Sequence, residues 1–350
     1  MKNNYFMIAN NLFKQFCQER NIKPSTVKSY MNALKDYEKF NNLTIDELIF
    51  EAKRDEDANI KLKDRKIKER LIEYRSYLLN REISANTVKT YFSKIKTFYM
   101  HFEVEMPQIP NAKYDKSYQS NYLDLPTHEH IRQALDISPL DLKSIILFMS
   151  SSGTAKAETL SLTVRDFINA CKDYHNGGNI RSVLDILSRK DNIVPTFYLK
   201  RVKTDKYYYT FCSPEASEYI VKYLKPRKNL KLNDKLFDFN HNQLLNKFQK
   251  INDVMDWGFK GNYRFFRSHN LRKFHASNIC LSAEYVDLLQ GRTRKIVHET
   301  YIKTNPEKLK EIYKSAMDNV MINNAKNDSI KQDFTIVVNV FLAGKEYNIL

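Results

Sequence analysis

Apolar side chains recur at the three- and four-residue spacing of amphipathic helices through the first hundred residues. The clearest stretch predicts a helix over residues 10–20, on which four side chains share one face: Leu12, Phe13, Phe16 and Cys17. The same spacing predicts further helices, at residues 24–40, from Thr44 onward and at 70–79. The densely charged stretch 51–67 is expected to be solvated. Residues 1–103 are therefore predicted to be all-helical.

One segment of this helical region occurs twice. Ile-Lys-Pro-Ser-Thr-Val-Lys-Ser-Tyr at residues 22–30 is echoed by Ile-Ser-Ala-Asn-Thr-Val-Lys-Thr-Tyr at residues 83–91. Two similar helices are expected, and their N-terminal ends carry partial positive charge that favours phosphate. Matching donors would stand at both ends: Lys28, Lys89, Tyr30 and Tyr91. The alternative is a good helix opening used twice, with the tyrosines in the core.

The second half of the chain mixes helical and β patterns. Prolines interrupt the helical spacing after residue 103, which predicts a linker over residues 104–124. Helices are expected later in the chain, at residues 142–150, 180–187, 212–224, 244–259 and 306–321. Two runs rich in β-branched and aromatic residues, 196–203 and 207–211, flank a polar turn and predict a hairpin. Together with a strand predicted at 333–342, the expected fold is mainly α with a small antiparallel β-sheet.

The length and charge of the chain narrow the possible partners. A chain of 350 residues is typical of two domains. We predict a helical domain at 1–103, the linker at 104–124, and a second domain at 125–350 with a tail from about residue 325. The formal net charge is +16, which favours a polyanion, either nucleic acid or an acidic membrane. The membrane is the weaker option, because the lysines are interleaved with a globular pattern.

Several classes of protein are not expected. No stretch of 18 or more apolar residues is present in the sequence, so no membrane span is predicted. The N-terminus lacks the apolar core of a signal peptide, which predicts an intracellular protein. The four cysteines show no paired spacing, so we expect reduced thiols and neither a disulfide nor a zinc site.

The chemistry of the chain is concentrated between residues 268 and 301. His269 and Arg272 are three residues apart, so they share a face if the segment is helical. Arg272 and Arg292 each offer a rigid fork of donors that fits a phosphate. Tyr301, nine residues after Arg292, offers a phenol that can attack phosphorus. Cations around one tyrosine satisfy the needs of phosphoryl transfer without a metal.

This ordered set resembles the catalytic end of the tyrosine recombinases, the phage-integrase family. The resemblance implies that Tyr301 is the nucleophile and that His269, Arg272 and Arg292 contact the scissile phosphate. Tyr313 competes with Tyr301, and the nine-residue gap favours Tyr301. Lys273 follows Arg272 where the family often has a second histidine.

An earlier segment, Ser-Ser-Gly-Thr-Ala-Lys-Ala-Glu-Thr-Leu-Ser-Leu at 151–162, resembles the family's first box, Thr-Gly-x-Arg-x-x-Glu-x-x-x-Leu. Gly153 and Glu158 fall in register, but Ala155 stands at the position of the catalytic arginine. Lys156 is favoured as a substitute cation, although lysine lacks the guanidinium fork. A weakened site and an alignment shifted by one residue are the alternatives. Glu158 is expected to support a cation.

The resemblance also assigns roles to the hairpin and the surrounding cations. Lys203 would be the general acid that protonates the leaving 5′-oxygen, with Lys200 and Lys206 as competitors. Further cations are expected to contact DNA: Arg201, Lys206, Arg264, Arg267 and Lys273, with the donors of the repeated segment. The helical domain resembles the core-binding domain of the family.

The function that the resemblance implies is site-specific DNA recombination, as by the integrase of a mobile element. DNA strands would be cut and rejoined through a 3′-phosphotyrosyl ester, with no cofactor, metal or ATP. Four protomers on two duplexes are expected, in the cytoplasm of a prokaryotic cell at the nucleoid. The tail is expected to dock on a neighbouring protomer or to add a strand to a sheet. The alternatives are a type IB topoisomerase-like enzyme and a DNA-binding protein whose catalysis is impaired at Ala155.

Overall fold

A computed structural model describes residues 11–112, 121–292 and 305–323. The chain divides into two units, residues 1–119 and 120–350. Some expectations lie outside the described residues: those on Tyr301, on the middle of the linker and on the strand at 333–342. The described part is mostly helical with two small antiparallel hairpins, which confirms the expected fold class.

The first unit is a bundle of helices. Its described helices are α1 (Asn11–Glu19), α2 (Pro24–Asn41), α3 (Ile45–Asp57), α4 (Lys66–Leu79) and α5 (Ala85–His101). The repeated segment gives α2 and α5, which begin at equivalent positions and pack against each other. Thr44 caps α3 in a capping box with Glu47, which explains why a helix begins there.

Buried aromatic rings form the core of the first unit. Tyr37, Tyr74 and Tyr99 are at most 1% exposed, and their hydroxyls have partners. The Tyr37 and Tyr99 hydroxyls lie 3.3 Å apart, and the Tyr74 hydroxyl donates to Asp36 at 2.9 Å. Because buried polar groups are costly when unpaired, these bonds allow tyrosines to fill the bundle.

The expectation of a solvated stretch at 51–67 was wrong in part. Helix α3 continues through Asp57, and the Asp55 side chain is 5% exposed. Asp55 accepts a hydrogen bond from the backbone N–H of Lys66 at 2.9 Å, at the start of α4. A carboxylate at a helix N-terminus is stabilised by the helix dipole, which lets this charge be buried.

The second unit contains the remaining helices and both hairpins. Its helices are α6 (His128–Asp136), α7 (Leu140–Ser152), α8 (Lys156–Ser161), α9 (Val164–Ala170), α10 (Ile180–Leu187), α11 (Pro214–Leu224), α12 (His241–Val254), α13 (Ser268–Asn278), α14 (Ala283–Leu289) and α15 (Pro306–Ala316). Its strands are β1 (Thr196–Lys200), β2 (Tyr207–Phe211), β3 (Phe259–Lys260) and β4 (Tyr263–Arg264).

Helix α7 is the centre of the second unit. Every residue from Ser144 to Ser152 is buried, because α11 and α13 pack against it. The hydroxyl of Thr210 on β2 donates to the carbonyl of Ser152 at 3.0 Å, which joins the hairpin to the end of α7. The β1–β2 hairpin therefore lies against the loop that follows α7.

The predicted helix at 244–259 begins and ends earlier than expected. Helix α12 ends at Val254, and Asp256 and Gly258 then adopt positive φ angles of 50° and 61°. The left-handed backbone at these two residues redirects the chain after α12. Gly261, with a φ of 58°, then lies in the tight turn that lets β3 pair with β4, a hairpin that the sequence did not predict.

Within the part of the chain that the structure describes, no helix is both long and apolar enough to cross a lipid bilayer.

Candidate active site

Arg272 on α13 is the central buried cation of the second unit. Its side chain is held on both arms, because Nη1 donates to the carbonyl of Gly153 at 2.6 Å and Nη2 donates to the carbonyl of Gln290 at 2.7 Å. The residue is only 6% exposed. A single guanidinium thus joins the loop after α7 to the end of α14.

Gln290 and His275 complete this buried cluster, and neither was singled out in the sequence. The Gln290 amide Nε2 donates to the carbonyl of Arg272 at 3.0 Å and lies 3.0 Å from His275 Nδ1. Both side chains are fully buried. His275 stands three residues after Arg272 on the same helix, and that spacing was the one available signal.

Gly153 occupies a position that requires glycine. Its φ is +64°, and a Cβ there would lie 2.5 Å from His275 Nδ1 and 2.8 Å from Gln290 Nε2. The first box therefore needs its glycine for the close approach of the α7 loop to the Arg272 cluster.

Gly153→Ala is expected to destabilise the protein more than Gly258→Ala. Gly258 has a similar φ of +61°, but a Cβ added there would meet no atom within 4 Å, so it reports the left-handed backbone cost alone, about 1–2 kcal/mol. At Gly153 the clash adds about 1–3 kcal/mol. Urea unfolding of both variants measures the difference, and equal losses would contradict the described packing.

The burial of His275 makes stability depend on pH. Desolvation, and then the charges of Arg272 and Arg292, lower the pKa of His275 from 6.5 to about 3 in the folded protein. As the pH falls below 6.5, His275 takes up a proton in the unfolded chain but not in the folded protein. Stability that is present above pH 6.5 is therefore lost as the pH falls toward 3.

We expect His275 to contribute a loss of about 2 kcal/mol between about pH 7 and pH 5. His275→Asn keeps an acceptor for Gln290 but does not titrate, so its unfolding free energy should fall less over this range. Parallel pH dependence in the two proteins would show that His275 is not buried in its neutral form.

The β1–β2 hairpin brings a second arginine to the same carbonyl. Nη1 of Arg201 donates to the carbonyl oxygen of Gln290 at 2.7 Å, the oxygen that Arg272 also contacts. The backbone N–H of Arg201 donates to the carbonyl of Lys206 at 2.7 Å, and its carbonyl accepts from Asp205 at 2.8 Å. Arg201 therefore stands at the closed base of the turn.

Glu158 joins α8 to this turn. Its Oε1 accepts from the backbone N–H of Val202 at 3.2 Å, while the side chain is 3% exposed. Its Oε2 is buried without a hydrogen-bond partner among the described residues. Lys203 follows at the exposed tip of the turn. Glu158 thus fixes the backbone beside Arg201, while Lys203 extends into solvent.

The charges near Arg272 are mostly positive. Burial first, and then Arg201, lower the pKa of Arg272 to about 10, with a further lowering by Arg292. Arg292 itself is exposed, 3.4 Å from Asp287. The excess of cations favours an anion at this cluster.

His269 lies at the edge of this positive region. Partial desolvation lowers its pKa, and four cations lower it further: Arg267, Lys273, Arg272 and Arg292. The imidazole is therefore neutral near pH 7 and can accept a proton or a hydrogen bond.

Lys156 is placed differently from Arg272. It begins α8 directly after Ala155, and partial burial lowers its pKa. Its charge acts on His241 of α12, whose pKa it lowers after the effect of burial. Within the described residues it has no hydrogen bond or ion pair.

Of the two candidate nucleophiles, the structure describes Tyr313. It is completely buried, and its hydroxyl donates to the carbonyl of Ser151 at 3.0 Å. Its ring packs against Phe211 at 5.3 Å. Burial raises the pKa of this phenol. Tyr313 is therefore a core residue, and it cannot reach a DNA strand without unfolding.

The predicted DNA-contacting arginines are only partly available. Nε and Nη2 of Arg264 donate to the two carboxylate oxygens of Asp253, at 2.8 and 3.1 Å. The Arg267 guanidinium lies over the Tyr263 ring at 4.3 Å, and its buried Nε has no hydrogen-bond partner among the described residues. Arg264 is thus held by a carboxylate, whereas Arg267 keeps donor capacity.

In the first unit the repeated donors differ in exposure. Lys28 and Lys89 are exposed, and Tyr91 is half-buried. Tyr30 is 8% exposed, with its ring 4.8 Å from that of Phe16. The expectation of a binding role for Tyr30 is corrected, because the ring packs in the core. Among the residues that the structure describes, no three His, Cys, Asp or Glu side chains are close enough to hold a metal.

The similarity of this chain to solved structures extends over most of its length. No protein-family model matches the chain, and no curated protein does so. A lambda integrase tetramer bound to a Holliday junction matches with a TM-score of 0.51 and 14% identity, over 84% of this chain and 78% of that one.

Two further structures are similar at lower scores. The Tn1549 transposon integrase in complex with transposon right end DNA gives a TM-score of 0.48 and 12% identity, over 87% of this chain and 98% of that one. The XerH site-specific recombinase bound to its difH substrate gives 0.47 and 17%, over 85% and 82%. At these identities the likeness concerns the fold. The lambda integrase match, taken with the helices and hairpins described above, shows that the chain has the tyrosine-recombinase fold that its motifs led us to expect.

Proposed function

We propose that the protein is a site-specific DNA recombinase, an integrase that cuts and rejoins DNA strands through a phosphotyrosine ester. One observation carries the proposal. Arg272 donates to the carbonyl of Gln290 at 2.7 Å, and Gln290 stands two residues before Arg292, so the segments that carry the two motif arginines meet in space. They do so in a fold shared with a lambda integrase that was solved on a Holliday junction.

The proposed reaction needs only side chains of this chain. The phenol oxygen of Tyr301 attacks the scissile phosphorus, and the bond from phosphorus to the 5′-oxygen breaks. Lys203 gives its proton to the leaving 5′-oxygen, and neutral His269 accepts the proton of the phenol. Arg272 and Arg292 take up charge on the non-bridging oxygens.

The rejoining step is the reverse attack. The 5′-hydroxyl of a partner strand attacks the 3′-phosphotyrosyl ester and releases Tyr301. Because the ester conserves the free energy of the phosphodiester, no ATP is required, and in this proposal the arginines balance the charge that a metal would otherwise take up. In this proposal four protomers hold two duplexes, in the cytoplasm at the nucleoid of a prokaryotic cell, and the segment after residue 325 docks on a neighbouring protomer.

DNA binding would involve both units. Lys28 and Lys89 are exposed near the starts of α2 and α5 and are proposed to contact phosphates. In the second unit Arg201, Lys206, Arg267 and Lys273 are proposed to contact the duplex around the site. Phosphate contacts position a protein on DNA without reading its sequence.

A second candidate function rests on Ala155. A protein with this fold that binds DNA without cutting it is favoured if the lost arginine has no replacement, and Lys156 is one candidate replacement. A type IB topoisomerase-like activity is the third possibility, and it would relax supercoiled DNA without sequence preference.

The test uses nicked duplexes selected by binding from a randomised library. The protein is incubated with them in a chelator without ATP, and SDS-resistant protein–DNA adducts are measured. An adduct supports the recombinase, and relaxation of unrelated supercoiled DNA would favour the topoisomerase-like enzyme. If the protein binds DNA in a salt-sensitive way without forming an adduct, and Ala155→Arg restores adduct formation, it is a DNA-binding protein with impaired catalysis.

A further inference from the structure

Two guanidinium groups share one neutral oxygen at the centre of the site. Nη2 of Arg272 and Nη1 of Arg201 each donate to the carbonyl of Gln290 at 2.7 Å. Like charges this close repel each other, and a carbonyl oxygen has no net charge to offset them. The arrangement is more favourable when an anion lies between the two forks.

Neighbouring charges do not supply that anion. Glu158 is the carboxylate whose charge raises the pKa of Arg272. Its Oε1 accepts from the backbone of Val202. No hydrogen bond or ion pair joins it to either arginine among the described residues.

Arg201 retains donors for a ligand. Only its Nη1 has a side-chain hydrogen bond among the described residues, and the side chain is half-exposed. Its backbone is fixed on both sides, by Lys206 and Asp205. A planar fork on a fixed backbone is suited to bind a phosphate at two points.

Ala155, which stands where the family's first box has an arginine, lies in the same region as Arg201 and Arg272. The carbonyl of Gly153, two residues before Ala155, accepts a hydrogen bond from Arg272. The carboxylate of Glu158, three residues after Ala155, accepts one from the backbone N–H of Val202, which follows Arg201. The β1–β2 hairpin therefore places the Arg201 guanidinium close to the backbone around Ala155, from which the family's first-box arginine would extend.

We propose that Arg201 is a catalytic residue that binds a non-bridging oxygen of the scissile phosphate beside Arg272, and so replaces the guanidinium that Ala155 lacks. This inference rests on the proposed recombinase function. Lys156 is the competing cation, but its charge acts on His241 of α12 and it lacks the fork. Arg201 instead shares an acceptor with Arg272.

The test compares two substrates for each variant. Once the scissile phosphate has been mapped with the wild-type protein, nicked duplexes are made with an ordinary phosphate or with a methylphosphonate at that position. The methyl group replaces one charged non-bridging oxygen. A residue that acts by neutralising this charge is needed less on the methylphosphonate. Because each variant is compared with itself, a loss of folded protein lowers both rates alike.

Arg201→Ala is expected to slow adduct formation about 100- to 1,000-fold on the phosphate and by only a few fold on the methylphosphonate, both relative to wild type. Arg201→Lys should fall between Arg201→Ala and wild type on the phosphate, since it restores charge without the fork. Arg165→Ala, at an exposed arginine on α9, is the matched control and should behave as wild type on both substrates.

Three results would overturn the assignment. An unchanged rate for Arg201→Ala on the phosphate would exclude it, as would an equal deficit on both substrates, which marks a structural role. A deficit relieved by methylphosphonate in Lys156→Ala, with none in Arg201→Ala, would give the role to Lys156. Failure of the wild-type protein to form any adduct would instead overturn the proposed function itself, and the role of Arg201 with it.

Discussion

Tyr301→Phe is expected to abolish the covalent protein–DNA adduct while leaving DNA binding intact. Phenylalanine keeps the ring but lacks the oxygen that forms the ester, so no slower route through the same residue remains. The measurement is the yield of SDS-resistant adduct on nicked duplexes, together with the dissociation constant at a fixed salt concentration.

Tyr313→Phe is the matched control for this prediction. It removes the hydrogen bond from the buried phenol to the carbonyl of Ser151, which costs about 0.5–1.5 kcal/mol of stability. It should still form the adduct at the wild-type rate below its unfolding temperature. An adduct in Tyr301→Phe that disappears in Tyr313→Phe would reverse the assignment.

Arg272→Lys is expected to lower the rate of adduct formation about 100- to 1,000-fold with a small change in stability. Lysine keeps the charge but cannot contact the carbonyls of Gly153 and Gln290 while also facing a phosphate. The loss resembles that of one donor to a transition-state oxyanion, about 2.7–4 kcal/mol. Single-turnover rates on nicked duplexes measure it.

Arg272→Ala separates the structural from the chemical part of this effect. It leaves the Gly153 carbonyl without its donor, and an unsatisfied buried acceptor costs about 1–3 kcal/mol. Urea unfolding should therefore show a larger loss for Arg272→Ala than for Arg272→Lys. If Arg272→Lys forms the adduct at the wild-type rate, Arg272 is only a structural tie between α13 and its neighbours.

The sequence predicted those elements in which local spacing determines the structure. The hairpin at β1 and β2 was expected from its β-rich runs, and the two similar helices α2 and α5 from the repeated segment. The three-residue spacing of His269 and Arg272 placed them on one face if their segment is helical, and that segment is α13. In each case residues near one another in the chain decide the outcome.

Helix ends were less predictable, because a single backbone conformation can override apolar spacing. Trp257 and Phe259 continue the helical pattern of α12, yet the left-handed Asp256 and Gly258 end it. The charged stretch 51–67 was misjudged for a related reason. Asp55 is buried because its partner is a backbone N–H eleven residues away, at Lys66.

The sequence identified some side chains of the candidate site but not its connections. Arg272 was expected, whereas its partners are backbone carbonyls of Gly153 and Gln290, which no residue type identifies. The convergence of Arg201 on the Gln290 carbonyl depends on contacts between residues 89 positions apart. Tyr313 was likewise a candidate until its packing against Phe211 was known.

The most direct test of the account is to identify the bond in the adduct. The wild-type protein would be trapped on a nicked duplex in a chelator without ATP, digested, and the DNA-linked peptide sequenced by mass spectrometry. We expect a peptide that contains Tyr301, esterified through its phenol oxygen to a 3′-phosphate, with a free 5′-hydroxyl on the released strand. A link to another residue, a 5′-phosphate ester, or intact binding with no adduct would contradict it.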